Sequence, residues 1–166
     1  AYKDTFSAVR VNGDITDWFN TIVWVLQGCV LSPLLFNIFL EIIIAMALDG
    51  TDAGVVIGGE LLTNLRFADD ISVLADNVDE LQEAVSRIHE VSRVMIMFIN
   101  VTKTEIQYVG KEEYKFQIEI DEQKLIQADT FIYLGGTISA GGGSEDDIKR
   151  RIGLAGGAFP SLSMDC

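Results

Sequence analysis

The segment LRFADDISVLAD, residues 65–76, sets two adjacent carboxylates between two apolar runs. These runs predict two short strands, Leu61–Phe67 and Ile71–Ala75, with Ala68-Asp69-Asp70 at the bend between them. Consecutive side chains of a straight strand point to opposite faces, but a tight hairpin turn would bring both carboxylates to the rim of the sheet. We therefore expect an aspartate pair at the tip of a hairpin.

These residues alone are compatible with two explanations of the aspartate pair, a metal site and an ordinary turn. Carboxylate oxygens suit Mg²⁺, which takes one or two of them and leaves room for substrate phosphates. Two such ions can activate the attacking oxygen and stabilise the leaving oxygen in phosphoryl transfer. An ordinary turn is the more common explanation of Asp-Asp, because Asp hydrogen-bonds its own backbone there.

Upstream of the pair, the sequence predicts a hairpin and a helix. Ser7–Val11 and Phe19–Val25 are typical of strands around a turn at Asn12-Gly13. Ser32-Pro33 combines an N-cap residue with proline at the first helical position. The following run, residues 33–48, is apolar nearly all round, which predicts a buried helix.

Downstream of the pair, helical and strand periodicity alternate. A capping-box-like pattern at Asn77 begins a predicted helix to Met95. His89, beside the apolar stripe of this helix, is expected to face solvent and is given no role. A last helix is predicted from Ser144 to Pro160. The period of two between these helices predicts antiparallel strands at residues 106–108, 116–120 and 130–139.

This order of elements predicts an α+β fold, with helices packed on one face of an antiparallel sheet. The 166 residues are 49% hydrophobic and 22% charged, which is typical of one globular domain or a piece of one. The net charge of −13 argues against a free-standing nucleic-acid binder, and the compact basic cluster is Lys149-Arg150-Arg151. Cys29 and Cys166 suggest neither disulfides nor a metal cluster, which indicates an intracellular protein, nuclear or cytoplasmic. The apolar run at 34–48 is short for a membrane span, so no membrane association is expected.

Four short motifs in a fixed order carry a resemblance that covers nearly the whole chain. They are LQGCVLSPLLFN (26–37), LRFADD (65–70), INVTKTE (99–105) and FIYLGG (131–136). Together they resemble the palm of reverse transcriptases, most closely those encoded by non-LTR retrotransposons of the endonuclease–reverse transcriptase type. The resemblance implies that residues 1–143 form a partial polymerase palm, lacking the fingers and the first catalytic strand. Residues 144–166 would start the thumb or connection helix.

The resemblance also implies a role for each motif. Asp69 would bind the metal directly, with Asp70 as its acidic neighbour, and Lys103 would lie near the triphosphate. The residues matching the nucleotide- and template-binding segments are Gln27, Gly28, Ser32, Pro33 and Phe67. The residues matching the turn that holds the primer end are Tyr133, Leu134 and Gly135. As ordinary structure, these segments would be a turn before a helix, a solvated lysine and an apolar strand ending in glycines.

By the same resemblance, the complete enzyme would use two Mg²⁺ ions, with Mn²⁺ as a substitute, an RNA template, a DNA primer and deoxynucleoside triphosphates. The family's first catalytic aspartate lies in a segment resembling D-x-x-x-A-F-D, and nothing in residues 1–26 fits it. We therefore expect the isolated chain to be inactive and, being acidic, to bind nucleic acid weakly.

Two departures from the family pattern bear on this expectation. Leu26 stands where an arginine is common, and Ile96-Met97 replaces a Gly-Leu pair at a junction where glycine normally serves a positive φ. One alternative is a non-catalytic binding or interaction module derived from an element, or a pseudogene product. Another palm enzyme, such as an RNA-dependent RNA polymerase, is a further alternative that fits the first and last motifs less well.

Overall fold

Three α-helices and a series of short hairpins make up the part of the chain that the structure describes. The computed structural model describes residues 5–11, 13–21, 30–110 and 112–162. The helices are α1 (Ser32–Leu48), α2 (Val78–Val94) and α3 (Glu145–Leu162). This mixture of helices and largely antiparallel strands confirms the predicted α+β class. None of the helices within these ranges is long and apolar enough to cross a membrane.

The strands of the described ranges form seven two-stranded pairs, six antiparallel and one parallel. In chain order they are β1 (Thr5–Ser7), β2 (Arg10–Val11), β3 (Asp14–Ile15), β4 (Phe19–Thr21), β5 (Val55–Ile57), β6 (Glu60–Leu62), β7 (Asn64–Phe67), β8 (Asp70–Val73), β9 (Glu105–Ile106), β10 (Glu119–Ile120), β11 (Gln123–Lys124), β12 (Ile126–Gln127), β13 (Thr130–Tyr133) and β14 (Gly136–Ser139). The parallel pair joins β9 to β12, so the antiparallel prediction is wrong at Ile106. The β10–β11 hairpin reverses the chain and returns it beside β9 in the same direction.

The N-terminal hairpin is present but interrupted. β2 pairs with β3 nearest the turn, and β1 pairs with β4 further out. Between the two pairs, the Val9 amide donates to the Thr16 hydroxyl at 3.0 Å and the Thr16 amide donates to the Val9 carbonyl at 3.0 Å. The rest of the predicted second strand, residues 22–25, lies outside the described ranges.

Helix α1 has the predicted length, but its first residue has a different role from the one predicted. Leu31 occupies the N-cap position and Pro33 lies in the first turn. The Ser32 hydroxyl is buried and has no hydrogen-bond partner among the described residues, so Ser32 does not cap the helix. Asp49 ends α1, and the Asp49 amide donates to the Ala45 carbonyl at 3.0 Å.

The prediction that α1 is buried all round is wrong for one face. The buried face of α1 packs against α2 through a cluster formed by Leu40, Ile44, Ala47 and Ile88. The other face exposes large apolar side chains, because the described elements on that side do not cover it. The exposed residues are Leu34, Leu35, Ile38, Phe39, Ile42 and Met46.

Helix α2 begins and ends with side-chain and backbone caps. The side-chain Oδ1 of Asn77 accepts a hydrogen bond from the backbone amide of Glu80 at 3.0 Å, and the side-chain Nδ2 of Asn77 donates to the Glu80 carboxylate. These bonds confirm the predicted start of the helix. At the end, the Met97 amide donates to Ser92 and the Ile96 amide donates to Arg93, the two bonds of a Schellman motif. Ile96 has φ 59°, so it adopts the left-handed conformation that a β-branched side chain strongly disfavours.

His89 does not face solvent as predicted. Its side chain is only 13% exposed, and its Nε2 lies 3.0 Å from Asp121 Oδ2 in the turn between β10 and β11. Arg93, one helical turn further along α2, contacts the other oxygen of Asp121 at 3.5 Å. The two residues attach α2 to that turn.

Two hairpins of equal size carry the motifs with predicted roles. The aspartate hairpin (β7 and β8, residues 64–73) is separate from β6, because the predicted strand from Leu61 breaks at Thr63. The C-terminal hairpin (β13 and β14, residues 130–139) replaces the single strand predicted there, because the chain turns at Leu134-Gly135. Helix α3 follows it and continues to Leu162, beyond the predicted stop at Pro160. The fixed φ of proline is compatible with a helix, although proline contributes no amide donor.

Candidate active site

The two aspartates lie at the tip of the aspartate hairpin. Phe67 and Asp70 face each other across the last pair of the ladder, which leaves Ala68 and Asp69 as a two-residue turn. Ala68 has φ 52°, a conformation that two-residue hairpin turns require at their first central position and that glycine usually supplies. The predicted bend is therefore present, with Asp69 in the turn and Asp70 as the first residue of β8.

The hairpin has an α1-facing side and a free side. Ile71 and Val73 pack against the cluster of α1 and α2, and Arg66, opposite Ile71, contacts Glu41 of α1. Cross-strand partners share a face, so Phe67 and Asp70 project from the free side. The Phe67 side chain is 61% exposed, an uncommon state for a large aromatic residue.

Both carboxylates of the tip are accessible for binding a cation. Asp69 and Asp70 are exposed, and their oxygens are the hard ligands that Mg²⁺ prefers. In the ranges that the structure describes, no group of three or more His, Cys, Asp or Glu side chains converges as a metal site. The donor set at the tip thus fits partial coordination of a hard cation, which leaves other positions for water, phosphate or a further carboxylate.

A cavity separates the turn from α1. It measures about 110 Å³ and is lined by Asn37, Leu40, Glu41, Arg66 and Ala68. The second and third turns of α1, at Asn37, Leu40 and Glu41, thus lie beside the aspartate tip. The Glu41–Arg66 ion pair crosses this gap.

The residues predicted to bind nucleotide and template are only partly described. Gln27 and Gly28 lie outside the described residues. Pro33 is exposed in the first turn of α1, whereas the hydroxyl of Ser32 is buried. Phe67 is the second exposed member of this predicted set.

Lys103 is exposed at the end of a short 3₁₀ turn, Val101–Lys103, just before β9. Asn100 organises this turn, since the Asn100 carbonyl accepts from the Lys103 amide at 3.0 Å and from the Thr104 hydroxyl at 2.9 Å. Among the described residues, no hydrogen bond or ion pair joins Lys103 to Asp69 or Asp70.

Tyr133, Leu134 and Gly135, the predicted primer-end residues, lie together at the turn of the C-terminal hairpin. Leu134 and Gly135 have φ 49° and 79°, which places both central residues of the turn in the left-handed region. Leu134 is exposed, and Tyr133 is half-buried and stacked on Phe131 with ring centroids 6.4 Å apart.

Side chains of α3 hold this hairpin in place. Asp147 accepts from the Thr137 amide at 2.8 Å and from Arg151 Nε at 2.7 Å. The Ser139 hydroxyl donates to Asp146 at 2.6 Å, and Arg151 reaches the Gly135 carbonyl at 3.4 Å. The bond from the Thr137 amide, and then the bond from Arg151, lower the pKa of Asp147 below its ordinary value.

Several of these contacts were not found from the sequence. Glu41 and Arg66 are 25 positions apart, and the available signal was a single charged residue in the otherwise apolar α1. Asp147 was assigned to the start of α3, but its carboxylate bonds to β14.

Comparison with known proteins adds an independent observation. Residues 2–138 match the family described as reverse transcriptase (RNA-dependent DNA polymerase). A retrovirus-related Pol polyprotein from the type-1 retrotransposable element R2 of Nasonia vitripennis is 33% identical over 87 residues, covering 52% of this chain and 8% of that protein. A putative uncharacterized transposon-derived protein of Caenorhabditis elegans is 34% identical over 110 residues, covering 62% of this chain and 38% of that protein. The matched segments of the chain therefore span less than half of the length of each of these two relatives.

Proposed function

The chain belongs to the reverse transcriptase family, and we propose that it is the part of a non-LTR-type enzyme that carries the aspartate pair of the active site. The whole enzyme would synthesise DNA on an RNA template from the 3′-hydroxyl of a DNA primer. Residues 1–143 would belong to the palm, and residues 144–166 would begin the thumb. The observation that carries the proposal is the aspartate hairpin, a two-residue turn with two exposed carboxylates inside the matched range.

Asp69 and Asp70 would be the metal ligands of this site. Bound Mg²⁺ would supply the positive charge that activates the attacking oxygen and stabilises the leaving oxygen. The exposure of both carboxylates supports this role, because a Mg²⁺ ion in such sites keeps several water and phosphate ligands. Mn²⁺ also favours oxygen ligands and would substitute.

The remaining predicted residues would bind and orient substrate. Lys103 would place its ammonium near the triphosphate and stabilise the departing pyrophosphate. The exposed turn at Leu134 would contact the end of the primer, together with Tyr133 and Gly135. The segment beneath the nucleotide and its template base would be formed by Gln27, Gly28, Ser32, Pro33 and Phe67.

A further carboxylate from outside the aspartate hairpin would complete the two-metal site. The tip offers two carboxylates, and the described residues bring no third acidic or histidine ligand beside them. We propose that residues 1–166 alone do not extend a primer, and that a longer product of the same reading frame does.

Primer extension tests this proposal with a DNA primer annealed to an RNA template, Mg²⁺ and all four deoxynucleoside triphosphates. We expect extension by a longer protein with the upstream sequence, and a loss of at least about a hundredfold on Asp69→Ala. Asp76→Ala, an exposed aspartate beyond β8, is the matched control and should retain activity. Extension that survives Asp69→Ala would overturn the assignment of Asp69, and extension by residues 1–166 alone would overturn the requirement for a further carboxylate.

A non-catalytic binding module is the second candidate, and the net charge of −13 favours it over nucleic-acid synthesis by this part alone. The same assay separates the two candidates. If a longer product also fails to extend any primer, with Mg²⁺ or Mn²⁺, the binding module becomes the better account.

A further inference from the structure

Glu41 is the one charged residue in the sequence of α1, and it pairs with Arg66, three positions before Asp69. Both residues line the cavity between α1 and the turn of the aspartate hairpin. The Glu41 carboxylate is partly solvated in an otherwise apolar helix, and the guanidinium of Arg66 supplies it with a charged partner. The pair is therefore a specific connection between α1 and the strand that leads into the tip.

Packing fixes the two ends of the aspartate hairpin to different extents. Near its open end, Val73 and Ile71 pack against the buried cluster of α1 and α2. Near the turn, the cavity of about 110 Å³ replaces that packing, and Ala68 has no side chain long enough to fill it. The Glu41–Arg66 pair is the polar contact that spans this gap, so it restrains the tip where apolar packing does not.

We propose that Glu41 and Arg66 are positioning residues that fix the distance between the aspartate tip and the first turns of α1. This inference rests on the proposed function, in which the tip binds metal and α1 begins beneath the nucleotide. Neither residue touches the metal or the substrate. The pair acts through the hairpin, by reducing the range of positions that Asp69 and Asp70 adopt relative to Asn37 and Pro33.

The exposure of the pair sets the size of its effect. The Arg66 side chain is 30% exposed and the Glu41 side chain 63% exposed, so water screens their attraction. Such pairs change local stability by a modest factor, and we expect a shift of about two- to fivefold in tip opening rather than loss of the fold.

Amide hydrogen exchange followed by NMR tests this restraint on the full 166-residue chain. The variants Glu41→Gln and Arg66→Gln should each speed exchange near the turn by about two- to fivefold, at the amide of Ser72, which lies opposite Leu65 in the ladder. Arg66→Lys should lie between wild type and Arg66→Gln, because lysine keeps the charge but not the planar fork. The exchanged pair Glu41→Arg with Arg66→Glu should restore slow exchange. Glu83→Gln, which removes the ion-pair partner of Arg87 on α2, is the control and should leave the turn unchanged.

Unchanged exchange at the turn in both single variants would overturn the restraint. If both single variants are folded but the exchanged pair does not restore slow exchange, an effect other than the charge pairing is responsible. That result would also overturn the restraint.

A second readout uses Mn²⁺ alone as a paramagnetic probe. In wild type, we expect Mn²⁺ to broaden the amide signals of Asp69 and Asp70, and to broaden those of Asn37 and Leu40 in a fixed ratio to them. Glu41→Gln should change that ratio, because paramagnetic broadening depends steeply on distance and the tip would move relative to α1. A ratio unchanged in Glu41→Gln would overturn the positioning role.

Mn²⁺ broadening tests metal binding at the tip, and hydrogen exchange tests the restraint by Glu41 and Arg66 separately. If Mn²⁺ broadens neither Asp69 nor Asp70, the metal-binding function fails, and the positioning role for metal fails with it. The hydrogen-exchange series still decides whether the Glu41–Arg66 pair restrains the hairpin.

Discussion

The aspartate hairpin and the C-terminal hairpin are alike in size but differ in how they are held. Each has two four-residue strands and a two-residue turn with a non-glycine residue at positive φ. The aspartate hairpin rests on a buried apolar cluster and has one ion pair near its tip, across a cavity. The C-terminal hairpin is fixed to α3 by a set of hydrogen bonds to Asp146, Asp147 and Arg151.

The difference indicates two kinds of anchoring for two proposed tasks. Apolar packing at the open end of the aspartate hairpin leaves its charged tip exposed, where a cation and phosphates can approach. Polar contacts along the C-terminal hairpin join its turn to α3, so a movement of α3 would carry the proposed primer contact with it.

The largest expected effect is a loss of folding stability when an apolar side chain beneath the aspartate hairpin is shortened. Ile44 is 2% exposed in the cluster beneath the aspartate hairpin, so Ile44→Ala should lower the free energy of unfolding by about 3 kcal/mol. Ile138 on the C-terminal hairpin is 42% exposed, and Ile138→Ala should cost less than about 1 kcal/mol. Urea denaturation measures both values. Equal losses would contradict the difference in anchoring.

The next effect is a pH dependence of the hydrogen bond by which Asp147 of α3 holds the C-terminal hairpin. The folded-state pKa of Asp147 lies below its ordinary value of 3.8, so the ionised carboxylate stabilises the docked hairpin above that pH. This stabilisation is lost as pH falls through the lowered folded-state pKa. An NMR pH titration of the Thr137 amide should therefore show a transition below 3.8 in wild type and none in Asp147→Asn.

Glu145→Gln is the matched control for Asp147→Asn, because it removes a negative charge from the same first turn of α3. It should keep the transition at the Thr137 amide. Loss of the transition in both variants would assign it to the charge at the helix end rather than to the hydrogen bond.

The smallest expected effect is the same for both hairpins. Ala68 and Leu134 have φ 52° and 49°, and glycine adopts these angles without steric cost. Ala68→Gly and Leu134→Gly should each stabilise the protein by about 0.5 kcal/mol in thermal or urea unfolding, after the entropy of glycine in the unfolded chain is counted. A gain at one turn and a loss at the other would mean that the turns themselves, and not the anchors, distinguish the hairpins.

Local sequence signals predicted the elements whose causes are local. Apolar runs on both sides of Asp69-Asp70 predicted a hairpin, and Asn77 predicted the start of α2. The departure at Ile96 pointed to a position that needs positive φ, and Ile96 does adopt it.

The signals failed where distant residues decide the structure. The local pattern of residues 130–139 predicted a single strand, because leucine carries no signal for positive φ, and the turn at Tyr133-Leu134-Gly135 was implied by the family resemblance alone. The parallel pairing of β9 with β12, and the contact of His89 with Asp121, both join segments far apart in the chain. The roles predicted for Asp69, Asp70 and Lys103 stay predictions until they are measured.

A residue-resolved Mn²⁺ titration of the 166-residue chain tests most directly whether the aspartate hairpin is the metal-binding end. The account predicts that low Mn²⁺ concentrations first broaden the amides of Asp69, Asp70 and Ile71, and that Asp69→Asn removes this broadening. Leu134 in the turn of the C-terminal hairpin should stay sharp. Broadening centred on the acidic first turn of α3, or equal at both hairpins, would contradict it.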